Sequence, residues 1–189
     1  IGELLSNRDD VLFVVDMISS MGAVECNVDQ WRIDVAVTCS QKGLMCPPGA
    51  AMVSVSKRVW EKRKQFKPRD CYFDFDIARN YAAKGEIFGT PSVPLICGLN
   101  TAASLILSEG LENVWKRHHE VAKYIRHRLT DLSLPLFLRY PSCSDAVTAV
   151  CWNYGVNTLR EFLKLLDTKY NLKIAGGMGH LKDSTFRIG

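Results

Sequence analysis

The chain has 189 residues, 47% of them hydrophobic, which is enough apolar material for a sizeable core in one or two domains. Its formal charge is only +4, its basic residues are scattered, and no apolar run approaches the roughly twenty residues of a membrane span, so we expect neither nucleic acid nor a membrane as a partner. Seven cysteines without CxxC spacing and four histidines without a ligand pattern predict reduced thiols in a cytoplasmic protein and no metal site.

Three strands are predicted in the first third of the chain, at residues 11–16, 34–39 and 50–56. The first two are continuous apolar runs, as in parallel strands buried on both faces, and the first ends at Asp16. Polar residues at the carboxyl ends of such strands face the crevice of an open α/β sheet. We therefore expect Asp16 and Lys42, which lies just past the second strand, to reach the same edge.

The loop from Thr38 to Gly49 places Lys42 among small and polar residues, ahead of a rigid Pro-Pro-Gly turn. Shelter from water lowers the pKa of a lysine and makes it a nucleophile able to form an imine. A carboxylate such as Asp16 at the same edge can keep a pyridine nitrogen protonated, which is the pairing that pyridoxal phosphate chemistry uses. A lysine alone in a loop is usually a solvated surface residue, so the hypothesis of a pyridoxal phosphate site depends on Lys42 and Asp16 occurring together.

The middle of the chain is predicted to contain two helices separated by an irregular segment. The first helix covers residues 57–66 and is ended by Pro68, and residues 69–89 form an irregular stretch rich in aromatic side chains. The second helix follows, with Thr90 as its N-cap and Pro91 as its first residue, and ends at Ser108 before a glycine.

The last third of the chain predicts a smaller α+β layer. A long amphipathic helix at residues 111–132 links it to the first part and is followed by strands at 134–138 and 146–152, a helix at 157–170, and a strand at 172–175. A glycine-rich turn at 176–179 precedes a final strand that carries Arg187. The expected domains are thus residues 1–110 and 111–189.

Six blocks of sequence, in order along the chain, resemble the class V aminotransferases of the fold-type I pyridoxal phosphate enzymes, in the alanine–glyoxylate and serine–pyruvate branch. The blocks are residues 16–22 (DMISSMG), 29–34 (DQWRID), 40–49 (SQKGL and PPG), 90–91 (TP), 109–115 (EGLENVW) and 186–189 (FRIG). The resemblance implies an α/β large domain, with a mainly parallel sheet and helices on both faces, followed by a smaller α+β domain. It also implies transamination between a small amino acid, alanine or serine, and a 2-oxo acid, glyoxylate or pyruvate.

The resemblance assigns a role to each matched residue. Lys42 corresponds to the imine-forming lysine that also moves the substrate's proton, and Asp16 to the partner of the pyridinium nitrogen. Ile18 would pack on the ring, Ser20 and Gln41 would hydrogen-bond cofactor oxygens, and Arg187 would bind the substrate carboxylate through its planar fork. Thr90 would reach the phosphate in the neighbouring subunit of a homodimer.

Two departures from the family pattern stand out. Relatives often place a tyrosine shortly before the Thr-Pro block, where this chain has residues 86–89 (EIFG), and the family's stacking aromatic and main phosphate-binding turn would precede Ile1. We therefore expect the chain to be a fragment, about half of a class V enzyme. The family alternatives are a cysteine desulfurase, for which Cys71 is the rough candidate, a lyase, or a non-catalytic fragment. Peroxisomal or mitochondrial targeting stays open beside the cytoplasm.

Overall fold

A computed structural model describes residues 1–67 and 72–189 and divides the chain into two compact units, Ile1–Leu111 and Glu112–Gly189. The α/β class expected from the sequence is confirmed. Within the described ranges no single helix is long and apolar enough to cross a membrane, and only two consecutive helices taken together across a sharp break reach that length and composition.

The first unit is built around a three-stranded sheet with β2 in the middle. Its elements in chain order are α1 (Gly2–Leu5), β1 (Val14–Asp16), β2 (Val35–Cys39), β3 (Ala51–Val55), α2 (Lys57–Arg63), α3 (Phe75–Ala82) and α4 (Val93–Glu109). The pairing is mixed, because β1 runs parallel to β2 whereas β3 runs antiparallel to it. The register places Asp16 beside Val37 and Cys39 beside Ala51.

Burial differs sharply between the strands of this sheet. In β2 every residue is buried or half-buried, as the apolar run predicted. The prediction for the first strand was wrong in two respects: pairing starts only at Val14, and the Val14 side chain is 58% exposed. The reason is that β1 has a strand neighbour on one side only among the described residues. Beyond β1, a small core forms around Met17, Ile33 and Ala36.

The segment between α2 and α4 contains a helix that the sequence analysis did not predict. Helix α3 forms because Asp74 caps it, accepting a hydrogen bond from the Asp76 amide at 2.8 Å. Asp74 is 6% exposed and pairs with Arg63 at 3.0 Å, so the cap is tied to the end of α2. Helix α2 ends at Arg63, earlier than predicted, and both Pro68 and Cys71 lie outside the described residues.

Helix α4 begins later than predicted. Its N-cap is Ser92, with Pro94 in the first turn, so the prediction that Thr90 caps this helix was wrong. Pro91 lies outside the helix and its carbonyl accepts a hydrogen bond from the Val93 amide at 3.1 Å, which places the start two residues downstream. Although α4 is apolar around most of its surface, it buries only Leu95, Ala102 and Ile106.

The second unit packs two helices against a small antiparallel sheet. Its elements are α5 (Leu111–Asp131), β4 (Thr148–Cys151), α6 (Val156–Tyr170), β5 (Ala175–Gly176), the 3₁₀ turn Gly179–Leu181, and β6 (Thr185–Ile188) in the middle of the sheet. Phe186, 1% exposed, is at the centre of the core together with Leu129, Val150 and Leu159. Trp152 and Phe162 stack at 4.8 Å beside it.

Two strand predictions in this unit were wrong. Residues 134–138 run beside β4 but form only the single bridge Leu136–Val150, because Pro135 has no amide hydrogen to donate to a ladder. The strand predicted at 172–175 is reduced to β5, since Leu172 instead bonds back to Leu166 and closes the end of α6. Gly176 therefore belongs to a strand as well as to the glycine-rich turn.

Candidate active site

A tight turn follows β1 and carries three of the predicted site residues. Met17, 1% exposed, continues the pairing by donating its amide to the Val37 carbonyl at 2.8 Å, and its own carbonyl accepts from the amides of Ser20 and Met21. Asp16 is exposed at the strand end, where its Oδ1 accepts a hydrogen bond from the Ile18 amide at 2.8 Å. Its second carboxylate oxygen has no hydrogen-bond donor within residues 1–67 and 72–189. Asp16 can therefore still accept a hydrogen bond from a ligand.

Ser20, the third residue of this turn, faces a cysteine. The Ser20 hydroxyl is in hydrogen-bonding contact with the Cys26 thiol. Burial raises the pKa of Cys26, although this hydrogen bond opposes the shift, so the thiol stays protonated at neutral pH.

The loop after β2 is closed by Ser40, which is fully buried. The Ser40 hydroxyl donates to the Pro47 carbonyl at 2.7 Å and accepts from the Ala50 amide at 3.3 Å, while its carbonyl accepts from the Cys46 amide at 3.0 Å. These bonds fold residues 41–49 into a compact loop between β2 and β3. No role was predicted for Ser40, although it lies only two residues before Lys42 in the matched SQKGL block.

Gln41 and Lys42 point outward from this loop and are exposed. No hydrogen bond or ion pair to the Lys42 amine occurs in the part of the chain that the structure describes. The predicted shelter of this lysine is therefore not supplied by the described residues. The exposed amine is also available for covalent attachment of a ligand.

The turn after β1 and the loop after β2 touch through two glycines. A Cβ added at Gly22 would lie 2.8 Å from the Gly43 carbonyl oxygen, and a Cβ added at Gly43 would lie 2.3 Å from the Met21 carbonyl oxygen. Side chains do not fit at either position, so only glycine allows this backbone-to-backbone approach. The contact brings the Asp16 turn and the Lys42 loop together at one end of the sheet, as the sequence predicted.

Helix α4 packs against the far side of the same loop. A Cβ at Gly49 would lie 3.1 Å from Leu95, and a Cβ at Gly98 would lie 3.7 Å from the Cys46 sulfur. Thr90, which precedes α4, is exposed and forms no described contact with the Lys42 loop. Its predicted role in a neighbouring subunit stays a prediction.

The opposite end of the sheet is fixed by Asp34, which the sequence analysis treated only as part of a motif. Asp34 is 5% exposed and accepts hydrogen bonds from the Phe13 amide at 2.8 Å, the Ser56 hydroxyl at 3.2 Å and Arg58 at 3.0 Å. Arg58 also donates to the Val11 carbonyl at 2.8 Å. One carboxylate thus joins the starts of β1 and β2 to the end of β3.

Arg187 belongs to the second unit and is half-buried on β6. Its Nε donates to the Gly176 carbonyl at 2.9 Å, and its Nη1 lies 3.3 Å from the Met178 sulfur. Nη2 has no acceptor among the described residues, which leaves part of the guanidinium fork available to an anion. The predicted role of Arg187, like those of the residues around Lys42, stays a prediction.

The first unit is an α/β domain in which a carboxylate at the end of β1 and a lysine in the loop after β2 lie at one end of a parallel strand pair, which is the arrangement expected of a fold-type I transferase. The profile of the class V aminotransferases matches residues 1–181. The chain belongs to this family.

Comparisons with individual proteins agree with the family assignment. The chain is 39% identical over 191 residues to an uncharacterized aminotransferase of Methanocaldococcus jannaschii, covering all of this chain and 49% of that protein. It is 38% identical over 184 residues to the L-aspartate–glyoxylate aminotransferase of Paracoccus denitrificans, covering 96% and 46%. The crystal structure of alanine–glyoxylate aminotransferase from Nostoc sp. superposes with a TM-score of 0.91 at 32% identity, covering 100% and 50%. The chain thus spans about half the length of these relatives.

Proposed function

We propose that this chain forms part of the active site of a pyridoxal phosphate-dependent aminotransferase that transfers an amino group between a small amino acid, alanine or serine, and glyoxylate or pyruvate. The observation that carries the proposal is the Gly22–Gly43 contact, which brings the Asp16 turn and the Lys42 loop to one end of the parallel pair β1–β2. The printed activities of two matched relatives, both aminotransferases that use glyoxylate, support this choice of acceptor.

The residues present fit the cofactor. Lys42 offers an amine without a partner in the described chain, Asp16 offers a carboxylate oxygen without a donor, and Gln41 and Ser20 offer polar groups beside them. When bound, pyridoxal phosphate supplies an electron-withdrawing ring that stabilises negative charge at the substrate Cα.

Each side chain then has a defined task. The Lys42 Nζ would hold the cofactor covalently and, once freed by the substrate amine, would move the proton from the substrate Cα to the C4′ carbon of the cofactor. Asp16 would keep the ring nitrogen protonated through a charge-assisted hydrogen bond. Gln41 and Ser20 would bind cofactor oxygens, Gln41 those of the phosphate, and Ile18 would pack on the ring.

The substrate carboxylate is assigned to Arg187, because the guanidinium fork binds both carboxylate oxygens whereas a lysine binds as a point charge. In the same proposal the protein is a cytoplasmic homodimer, and Thr90 reaches the cofactor phosphate of the neighbouring subunit. The hydroxyl of Thr90 is exposed and able to do so. A cysteine desulfurase activity is a weaker alternative, since Gln41 stands where such enzymes usually carry histidine and Cys71 lies outside the described residues.

The experiment that tests this proposal locates the covalent attachment. The assembled protein is loaded with pyridoxal phosphate, reduced with borohydride, digested and mapped by mass spectrometry. We expect the pyridoxyl group on Lys42, and we expect Lys42→Ala to abolish the label while Lys57→Ala, which removes another exposed lysine, retains it. A label that persists in Lys42→Ala would refute the assignment of this lysine.

A further inference from the structure

A buried arginine in the second unit has no role in the function proposed above. Arg126 lies on α5 and is 8% exposed, although an arginine is rarely buried unless its charge is paired. Its Nη1 donates to Asp145 at 2.8 Å and its Nη2 donates to the Ser144 carbonyl at 2.5 Å. Its Nε is buried with no hydrogen-bond partner. The side chain therefore holds the segment that leads into β4.

Asp145 is held from a second side by the same helix. Its other oxygen lies 2.9 Å from His119 Nδ1, and residues 119 and 126 are two helical turns apart on one face of α5. Burial acts to raise the pKa of Asp145, but the hydrogen bonds and positive charge of His119 and Arg126 outweigh it and hold that pKa below its ordinary value. The carboxylate is thus ionised and bridges two side chains of the helix.

The bridged segment contacts the strand that carries Arg187. Residues 146 and 147 follow Asp145 directly, and a Cβ added at Gly189 would lie 2.8 Å from the Ala146 carbonyl oxygen. Strand β4 then pairs with β6 so that Ala149 is opposite Arg187. A shift of Asp145 would therefore move two backbone segments that contact β6: the one at Ala149, opposite Arg187, and the one at Ala146, against Gly189.

We propose that His119, Arg126 and Asp145 are positioning residues that fix β4, and through it β6, so that Arg187 presents its fork at one place. The proposal rests on the assignment of Arg187 as the carboxylate-binding residue. A buried ion pair contributes little net stability relative to apolar residues of the same size, and here the hydrogen bonds from Arg126 to Asp145 and to the Ser144 carbonyl tie the segment before β4 to α5. The Arg187 Nε is already bound to Gly176, so β4 and β5 hold the arginine from opposite sides.

The test uses the assembled, cofactor-loaded enzyme with Asp145→Asn. We expect KM for alanine to rise about tenfold with kcat little changed, since a displacement of 1 Å can cost up to about a hundredfold and β5 still holds β6. Asp183→Asn is the matched control. Asp183 precedes β6 as Asp145 precedes β4, and it pairs with an arginine, Arg160, at 3.1 Å, but both side chains are more than half exposed. We expect no change in KM for the control.

A second measurement does not depend on activity. Hydrogen–deuterium exchange of the peptide covering residues 185–189 is expected to be faster in Asp145→Asn than in the wild type, and unchanged in Asp183→Asn. Equal exchange in all three proteins, or an equal rise of KM in both variants, overturns the proposal. If Asp145→Asn does not fold, His119→Gln, at a side chain 40% exposed, must show the same pattern at smaller size.

Arg187→Lys separates the two proposals. If this variant leaves KM unchanged, Arg187 does not bind the carboxylate and the functional assignment fails, whereas faster exchange in Asp145→Asn still shows that the carboxylate fixes β6. If Arg187→Lys raises KM but Asp145→Asn changes neither KM nor exchange, only the positioning role fails.

Discussion

Replacement of Gly43 by alanine tests whether the glycine contact holds the two halves of the lysine–carboxylate site together. Gly43 lies directly after Lys42, and its backbone has ordinary φ, so alanine brings no conformational strain of its own there. The only new atom is a methyl carbon that would lie 2.3 Å from the Met21 carbonyl oxygen and 3.2 Å from the Ala23 amide nitrogen.

The size of the effect follows from that distance. Ordinary van der Waals contact begins near 3.4 Å, so the turn after β1 and the loop after β2 must separate by about 1.1 Å. Overpacking of this kind costs about 1–3 kcal/mol of stability. Because a displacement of 1 Å in a catalytic arrangement can lower the rate up to about a hundredfold, which is about 2.7 kcal/mol, the functional loss should be of the same size as the loss of stability.

The assay compares cofactor affinity, transamination rate and urea unfolding in the assembled protein. We expect Gly43→Ala to bind pyridoxal phosphate more weakly and to transaminate about a hundredfold more slowly while remaining folded. Gly98→Ala is the control, since it adds the same methyl group on α4 at 3.7 Å from the Cys46 sulfur and should stabilise the helix by about 0.5–1 kcal/mol. Wild-type affinity and rate in Gly43→Ala would show that the two segments are not coupled at this contact.

Three further predictions concern residues that position the site. Ser40→Ala should lower the free energy of unfolding by about 1–2 kcal/mol in urea titrations, because the Pro47 carbonyl and the Ala50 amide lose their partner. Asp34→Asn should cost about 3 kcal/mol, against little for Asp10→Asn in an exposed pair. Asp145 has a lowered pKa, so its contribution to stability is complete above the ordinary aspartate value and is lost as pH falls through the lowered one. Urea midpoints should therefore drop at acid pH less in Asp145→Asn than in the wild type.

Secondary structure could be predicted best where a local sequence signal was strong, and least well where it depends on a contact with a residue distant in the sequence. The apolar run of β2 and the periodicity of α5 gave those elements almost to the residue, because burial on two faces and a 3.6-residue stripe need no further information. Helix α3 was missed because its cap, Asp74, is fixed by Arg63 eleven residues earlier, and no local pattern shows such a pairing. The shortened strand at 134–138 could have been predicted, since Pro135 was visible in the run.

In the candidate site, too, the features that depend on neighbouring residues in the sequence could be predicted, and those that depend on distant residues could not. Asp16 and Lys42 could be placed at one edge of the sheet because two apolar runs end just before them. The contact between the two segments could not be predicted. It depends on Gly22 and Gly43, which are twenty-one residues apart and are distinguished only by having no side chain. Likewise, the sequence offers no sign that Arg126, in a helix with charged residues throughout, is the cation that is buried.

The charged groups at the two ends of the first sheet differ in burial and in hydrogen bonding, and this difference explains how the proposed site can stay reactive. At one end Asp34 is buried and surrounded by donors from Phe13, Ser56 and Arg58, so every oxygen is satisfied and the strand starts are locked together. At the other end Asp16 and Lys42 are exposed. Asp16 accepts one hydrogen bond, from the Ile18 amide, and keeps its second oxygen open, while the turn and loop that carry both residues are held together by backbone contact. A carboxylate and an amine that were paired within the protein would be unavailable to a cofactor. Rigidity supplied by Asp34, Ser40 and the glycine contact therefore leaves the functional groups of Asp16 and Lys42 fixed in place but chemically free, which is the condition that covalent catalysis by a lysine requires.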